Sequence, residues 1–419
     1  MSNRLKKLWK SLGPGFITGA SDDDPSGIAT YSQTGAQFGY GQLWTALFSL
    51  PFMIVIQEMC GRIGMVTGRG LAGVIRANYN RKLLYLSVFL LLVANTVNIG
   101  ADLGAMAASL QLVINMPFIF WLLLITAVTL FLEIFISYRV YARYLKWLAL
   151  SLLAYFVTAL LIKQDWSQVL SATFIPTFSL SRDYLLNIVA FLGTTISPYL
   201  FFWQASNEVE EEVQNGKLQM MGKGVPRVTR GDISTMRADT IMGMVFSNLA
   251  AFFIILTVAG TLYKAGIHNI DTAAQAAEAL RPLAGNFAFI LFALGIVGVG
   301  LLAVPVLAGS ASYAVSEAFG WKSGLYRKLK QAHGFYGVIT IATIVGLAIN
   351  FLNIPPFKML YYAAALNGLI APILMVMILL IGNNKKVMGN HTNSLFSNWL
   401  GWIITVIMFT SGVALLYSW

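Results

Sequence analysis

Charge is scarce in this chain: Asp, Glu, Lys and Arg together make up 11% of its 419 residues, where a soluble domain carries roughly a quarter. That scarcity excludes an ordinary soluble protein. A single cysteine, Cys60, excludes an internal disulfide framework. The apolar runs do not alternate with polar residues, so a transmembrane β-barrel is excluded as well. Only three histidines occur, His268, His333 and His391, and all three fall between the apolar runs. A membrane-embedded enzyme built on paired histidines, a metal cage or a serine with its base therefore has no constellation to use. No small-residue cleavage site follows the basic Arg4, Lys6, Lys7 and Lys10, so no cleavable signal peptide is expected.

What the chain has in abundance is hydrophobic residues, 57% of the total, in stretches of about twenty. They predict an all-α polytopic membrane protein with about eleven spans: 13–38, 42–66, 83–112, 117–137, 143–163, 186–207, 238–262, 284–318, 334–352, 357–382 and 395–418. Eleven spans put the termini on opposite faces. With the N-terminus in the cytoplasm, the inner segments hold Arg4 to Lys10, Arg62 to Lys82, Arg139 to Lys146, Lys217 to Arg237, Lys322 to Lys330, and Lys385 with Lys386. The outer segments keep only Lys163, Arg182, Lys264, Arg281 and Lys358. Basic inner loops set the orientation and account for the net charge of +11 through the anionic leaflet, so no nucleic acid partner is implied. The bilayer itself is the implied partner, and a bacterial inner membrane with the C-terminus outside is the expected location.

Two spans break the rules of a membrane helix. The first reads GPGFITGASDDDPSGIATYSQTGAQFG, with Asp22, Asp23 and Asp24 in mid-segment and Pro25, Ser26 and Gly27 directly after. Three carboxylates in hydrocarbon are tolerable only beside water or a cation. The proline and glycine predict an unwound helix whose free backbone faces a cavity. The bland alternative is that Asp24 merely caps a helix beginning at Pro25. The sixth span, AFLGTTISPYLFFWQASN, carries Gly193, Thr194, Thr195, Ser197 and Pro198 at mid-depth. Its proline should release a carbonyl near Thr194, and a simple kink is the alternative there. Paired interruptions in the first and sixth spans fit two five-helix halves, 13–163 and 186–382, related as an inverted repeat with the site at the midplane. Span 395–418 is then an extra helix, and the whole chain is one transport domain.

At these residues the chain resembles the NRAMP family of divalent metal transporters, which share the LeuT-type architecture. Family members carry an Asp-Pro-Gly-Asn motif in the first helix, followed by a segment similar to ATYSQTGAQFGY at Ala29 to Tyr40. RIGMVTGRGLAG (Arg62 to Gly73), Ala101-Asp102-Leu103, LFALGIVGVG and LAGSASY also resemble the family. The resemblance implies a metal held by the first-helix Asp and Asn, a sixth-helix methionine and a carbonyl three residues before it. Carried over, Asp24 is retained, Gly27 stands where the asparagine would be, Ser197 replaces the methionine, and Thr194 offers the carbonyl. The metal-ligand set so implied is Asp24, Thr194 and Ser197, with Asp22, Asp23 and Gly27 around it. The family's Met-Pro-His reads Ser197-Pro198-Tyr199 here.

Thioether sulfur favours softer transition metals, whereas carboxylate, hydroxyl and carbonyl oxygens suit magnesium and manganese. The departures therefore resemble the NRAMP-related magnesium transporter branch, and imply Mg2+ with Mn2+ as companion, moved as cargo with no resident cofactor. Proton coupling is not expected. Asp102 survives, but the family's third-helix glutamate is Ala105, its sixth-helix histidine is Gln204, and no histidine lies in a span. Proton-coupled Mn2+/Fe2+ symport is the alternative; a transporter of organic substrates is a weaker one, because three aspartates would repel a substrate carboxylate. Asp102 reads as a relay or as a structural aspartate. Asn248 and Asn367 read as interhelical hydrogen-bonding groups or as lining of the path. Glu58 and Glu133 read as packing residues. The run Glu208, Glu210, Glu211 and Glu212 reads as an acidic vestibule, or as a solvated face pairing with the loop from Lys217 to Arg237.

Overall fold

The computed structural model describes residues 13–136, 152–352 and 354–418. The described residues are nearly all helical, and the described part of each expected span lies largely in helix. The first is broken into α1 (Pro14–Ala20) and α2 (Pro25–Phe38); α3 (Trp44–Thr67) is the second, and a short α4 (Leu71–Asn78) leads into α5 (Arg81–Val113) and α6 (Phe118–Phe135). Of the fifth, only α7 (Leu153–Leu161) is described, and Arg139 to Lys146 lie outside the described residues, as do Arg4 to Lys10. After α8 (Trp166–Phe174) the sixth span is broken into α9 (Arg182–Thr195) and α10 (Pro198–Gln214). Then come α11 (Arg230–Val258), continued by a π-helical turn Ala259–Tyr263, α12 (Ala273–Glu278), α13 (Ala288–Phe319), α14 (His333–Ile349), α15 (Pro356–Asn383) and α16 (Leu395–Tyr417). Eight of these, counting α9 with α10 as one, are long and apolar enough to cross a membrane among the described residues.

The two breaks have a local cause. Asp24 (φ −70°, ψ 173°) and Ser197 (φ −82°, ψ 132°) are both extended, as a residue before proline is pushed to be. Pro25 and Pro198 then start α2 and α10 at the position where a missing N–H does no harm. Prolines also lie inside α3, α13 and α15 at Pro51, Pro305 and Pro372, and these helices run on.

Glycine lets the first half of each broken helix rest on a neighbour's backbone. A Cβ on Gly19 of α1 would sit 2.2 Å from the Gly243 carbonyl carbon of α11, and one on Gly193 of α9 would sit 2.1 Å from the Ala364 oxygen of α15. Small residues at such crossings are how helices associate where lipid is as apolar as the side chains. Meanwhile α6 and α16 turn Phe131, Phe135, Val406 and Phe409 outward, the surface a bilayer would cover.

One ion cluster ties α3, α11 and the segment before α16. Glu58 accepts from the Arg62 guanidinium at 3.1 and 3.2 Å and from Arg237 at 2.9 Å. Arg62 also donates to the Asn393 side chain at 2.8 Å and to the His391 carbonyl.

Candidate functional site

The chain is unwound at both breaks and the breaks face each other. The Tyr199 hydroxyl of α10 donates to the Ser21 carbonyl at the end of α1, 2.9 Å away. Gly27 lies so close to α9 that a Cβ there would stand 3.3 Å from Thr194 Oγ1. The Tyr199 carbonyl in turn accepts from Ser310 of α13 at 2.8 Å. Asp22, Asp23, Asp24, Thr194 and Ser197 are all at most 2% exposed, so this is an occluded arrangement.

Asp24 is held from two directions. Its Oδ1 accepts from the Gly27 amide and the Ser26 hydroxyl, both at 2.7 Å, and so caps α2. Its Oδ2 accepts from Asn98 Nδ2 of α5 at 2.8 Å. The same Asn98 amide reaches Asp102 Oδ2 at 3.2 Å, and its oxygen accepts from Asn367 of α15 at 3.1 Å. Asp22 and Asp23 share the Ser247 hydroxyl of α11, at 2.5 and 3.1 Å. Among the described residues, Asp22 Oδ1, Asp23 Oδ2 and Asp102 Oδ1 have no hydrogen-bond partner. Buried carboxylate oxygens are rarely left so, and a cation or a proton would complete them.

At the second break the structure corrects one expectation. The carbonyl that Pro198 releases is not free, because the Ser197 hydroxyl turns back and donates to the Thr194 and Gly193 carbonyls at 2.6 and 2.9 Å. A buried carbonyl without a partner is unfavourable, and the nearest hydroxyl takes it. An ion bound there would compete with that hydroxyl for the Thr194 oxygen. Among the described residues no three His, Cys, Asp or Glu side chains converge as a metal cage. The oxygens available at the breaks are thus one well-anchored carboxylate, backbone carbonyls and hydroxyls, with two further carboxylates behind them.

Of the other residues expected at the site, Asp102, Tyr199 and Asn367 join it, the last through Asn98. Gln204 does not: it bonds Gln57 at 3.1 Å, Glu208 at 3.2 Å and Thr240 at 3.0 Å. Asn248 does not either, since it donates to Ser49 and Met53 of α3. The glutamate run continues the helix and Glu212 pairs with Lys217 of the following loop, as one expectation had it, but Glu208, Glu210 and Glu212 are 2–5% exposed rather than solvated. Glu210 accepts from the Tyr313 hydroxyl and the Leu325 amide. Glu58 packs within the helix bundle as expected. Asn98 and Ser247 were not singled out from the sequence, and Ser26, named only as part of the break, proves to bond Asp24. A polar residue at mid-depth of an apolar span, one turn before Asp102, is the sequence signal for Asn98.

Comparison with known proteins accords with this geometry. The profile of Nramp, natural resistance-associated macrophage protein-like, matches residues 15–418. The divalent metal cation transporter MntH of Caldanaerobacter subterraneus subsp. tengcongensis is 27% identical, over 98% of this chain and 94% of the relative. The MntH of Deinococcus radiodurans is 25% identical, over 99% and 91%. In fold, the chain superposes on the crystal structure of the Eremococcus coleocola manganese transporter with a TM-score of 0.75 at 17% identity, covering 99% of this chain and 87% of that one. The nucleobase-cation-symport-1 transporter Mhp1, in a closed conformation, gives 0.62 at 13% identity, covering 97% and 91%. With its profile matched from the first break to the last helix, this chain belongs to the Nramp family.

Proposed function

We propose that the chain carries divalent metal cations across a bacterial inner membrane by alternating access, with Asp24 as the anchoring ligand. The metal is cargo, and no enzyme chemistry is involved. One observation carries the reading: a capped, fully buried carboxylate stands at the meeting point of two unwound helices, with unpartnered carboxylate oxygens behind it. The transport domain divides as 13–163 and 186–382 with 395–418 added, the N-terminus lies in the cytoplasm, and the C-terminus lies outside. The names of the relatives, divalent metal and manganese transporters, support the cargo class.

Within that class we favour Mg2+, with Mn2+ beside it. Ser197 puts an oxygen where a thioether would stand, and Gly27 leaves no amide oxygen, so every donor is hard. Mg2+ keeps several waters and binds through one or two carboxylates, which suits Asp24 with Asp22 and Asp23 at a remove. Uptake is driven by voltage and gradient. A divalent ion falling through about 100 mV gains roughly 4.6 kcal/mol, enough for more than a thousandfold accumulation at about 1.4 kcal/mol per tenfold. A second reading, proton-coupled Mn2+ symport, is favoured by the Asn98 amide, which links Asp24 to Asp102. The test of transport is uptake of Mg2+ and Mn2+ into proteoliposomes under an imposed potential. Wild-type protein that moves neither ion would overturn the proposal.

A further inference from the structure

At the end of the bundle that carries the basic loops lies a second acidic feature, separate from the breaks. A cavity of about 220 Å³ opens between α1, α10 and α11, and Glu208, Glu211, Glu212, Asp232, Asp239 and Lys217 line it. Glu208 and Glu212 lie 11 and 15 residues past Ser197 on one helix, which is roughly 17–22 Å from the break. Two of the carboxylates are committed elsewhere. Asp239 accepts from the Gly13, Gly15 and Phe16 amides and caps α1, and Glu208 accepts from Gln204.

Two of the others, Glu212 and Asp232, are held by one ammonium. Lys217 Nζ lies 3.0 Å from Asp232 Oδ1 and 3.5 Å from Glu212 Oε1, bridging α10 to α11. Glu212 is 3% exposed, lines the cavity, and has its second oxygen, Oε2, without a partner among the described residues. A carboxylate buried this far with half its acceptors unused needs a cation or a water beside it. The lysine sits where that cation would. Burial disfavours the Lys217 charge, but its hydrogen bond to Asp232 and the charges of Glu212 and Asp232 outweigh this and hold its pKa above the ordinary lysine range.

We propose that this cavity is a transit site for a hydrated divalent cation between the breaks and the cytoplasm, with the Lys217 ammonium as its tethered competitor. The inference rests on the reading of the chain as a divalent cation transporter. No three carboxylates converge among the described residues, so the ion is bound through its own waters. At roughly 30 Å³ per water, the cavity accommodates an ion with six of them. Focusing of field by a like-charged, walled cleft concentrates the ion there.

The experiment removes the transport site and counts what remains. Full-length Asp24→Ala protein in detergent is titrated with Mn2+, and free Mn2+ is read by its EPR signal. One Mn2+ per chain is expected to bind still. Adding Glu212→Gln should weaken it at least tenfold, and adding Lys217→Met should tighten it at least tenfold, because a unit positive charge within about 4 Å repels a divalent cation even at the dielectric constant of water. Asp24→Ala protein that binds no Mn2+ overturns the transit site, as does binding that neither second substitution alters. If Glu212→Gln does not fold, Lys217→Met decides alone, its side chain being 32% exposed. Wild-type proteoliposomes that take up Mn2+ while Asp24→Ala protein binds none would sink this site and leave the transporter reading standing.

Discussion

Asp24 does two things that a single substitution can separate. It caps α2 through the Gly27 amide and the Ser26 hydroxyl, and it offers a carboxylate to a cation. Serine caps a helix about as well as aspartate, whereas alanine forfeits about 1 kcal/mol. Asp24→Ser therefore keeps the helix start and loses the charge; Asp24→Ala loses both. Each also frees the Asn98 amide, which can turn to Asp102, so the added structural penalty stays near the 1–3 kcal/mol of an unsatisfied polar group. The charge is the larger quantity. A unit charge and a divalent ion about 4 Å apart attract by roughly 8 kcal/mol at an effective dielectric constant of about 20. If hydration returns three-quarters of that, about 2 kcal/mol is still lost, or roughly thirtyfold in affinity. Both variants should melt close to wild type in detergent, and both should lose uptake of Mg2+ and Mn2+ into proteoliposomes. Wild-type transport by Asp24→Ser, with impaired Asp24→Ala, would mean that Asp24 is a helix cap and nothing more.

Selectivity offers a second check: Ser197→Met should raise relative uptake of Cd2+ and Mn2+ over Mg2+ in competition assays, because it brings sulfur to the break and releases the Thr194 carbonyl. Gly27→Asn should help only alongside a shift of α9, since a Cβ there meets Thr194 and Tyr31 at 3.3 Å; unchanged Cd2+ preference in every variant refutes the hard-site account. Vesicles loaded with a pH dye should show no metal-dependent acidification in fixed ratio to uptake, and Asp102→Asn should leave voltage-driven uptake intact. A constant proton-to-metal ratio abolished by Asp102→Asn would instead establish the Asp24–Asn98–Asp102 path as a proton route. Arg62→Ala should destabilise by about 3 kcal/mol, the low end for breaking a buried pair, because Arg237 still faces Glu58. Thermal melting in detergent reads it, and an unchanged melt refutes the structural role.

The helix breaks were legible because proline acted together with its neighbour. Pro51, Pro305 and Pro372 follow Leu50, Val304 and Ala371 and lie within continuous helices. Pro25 and Pro198 follow Asp24 and Ser197, whose side chains take up the amide or the carbonyl that unwinding exposes. A polar residue before the proline thus marks a break where proline alone does not. The aspartates were legible for a related reason, since a carboxylate in an apolar run has no inexpensive place to go.

Which polar groups meet was not legible, because partnership depends on crossings between helices far apart in the chain. Asn248 and Asn367 look alike in sequence, one polar residue in an apolar span. The packing of α11 on α3 gives Asn248 to Ser49 and Met53, while α15 lies against α5 and gives Asn367 to Asn98. The buried state of Glu208, Glu210 and Glu212 was hidden in the same way, since helical spacing places residues on faces without saying what covers them. By itself the sequence determined the class, the recurrence of apolar spans and the position of both breaks, all consequences of local hydrophobicity and backbone chemistry. Only the tertiary structure decided that Asn98 and Ser247 complete the site and that one lysine bridges Glu212 of α10 to Asp232 of α11, because each is a contact made between helices and none is encoded within one; the bond from the Ser197 hydroxyl to the Thr194 carbonyl, three residues back, is local.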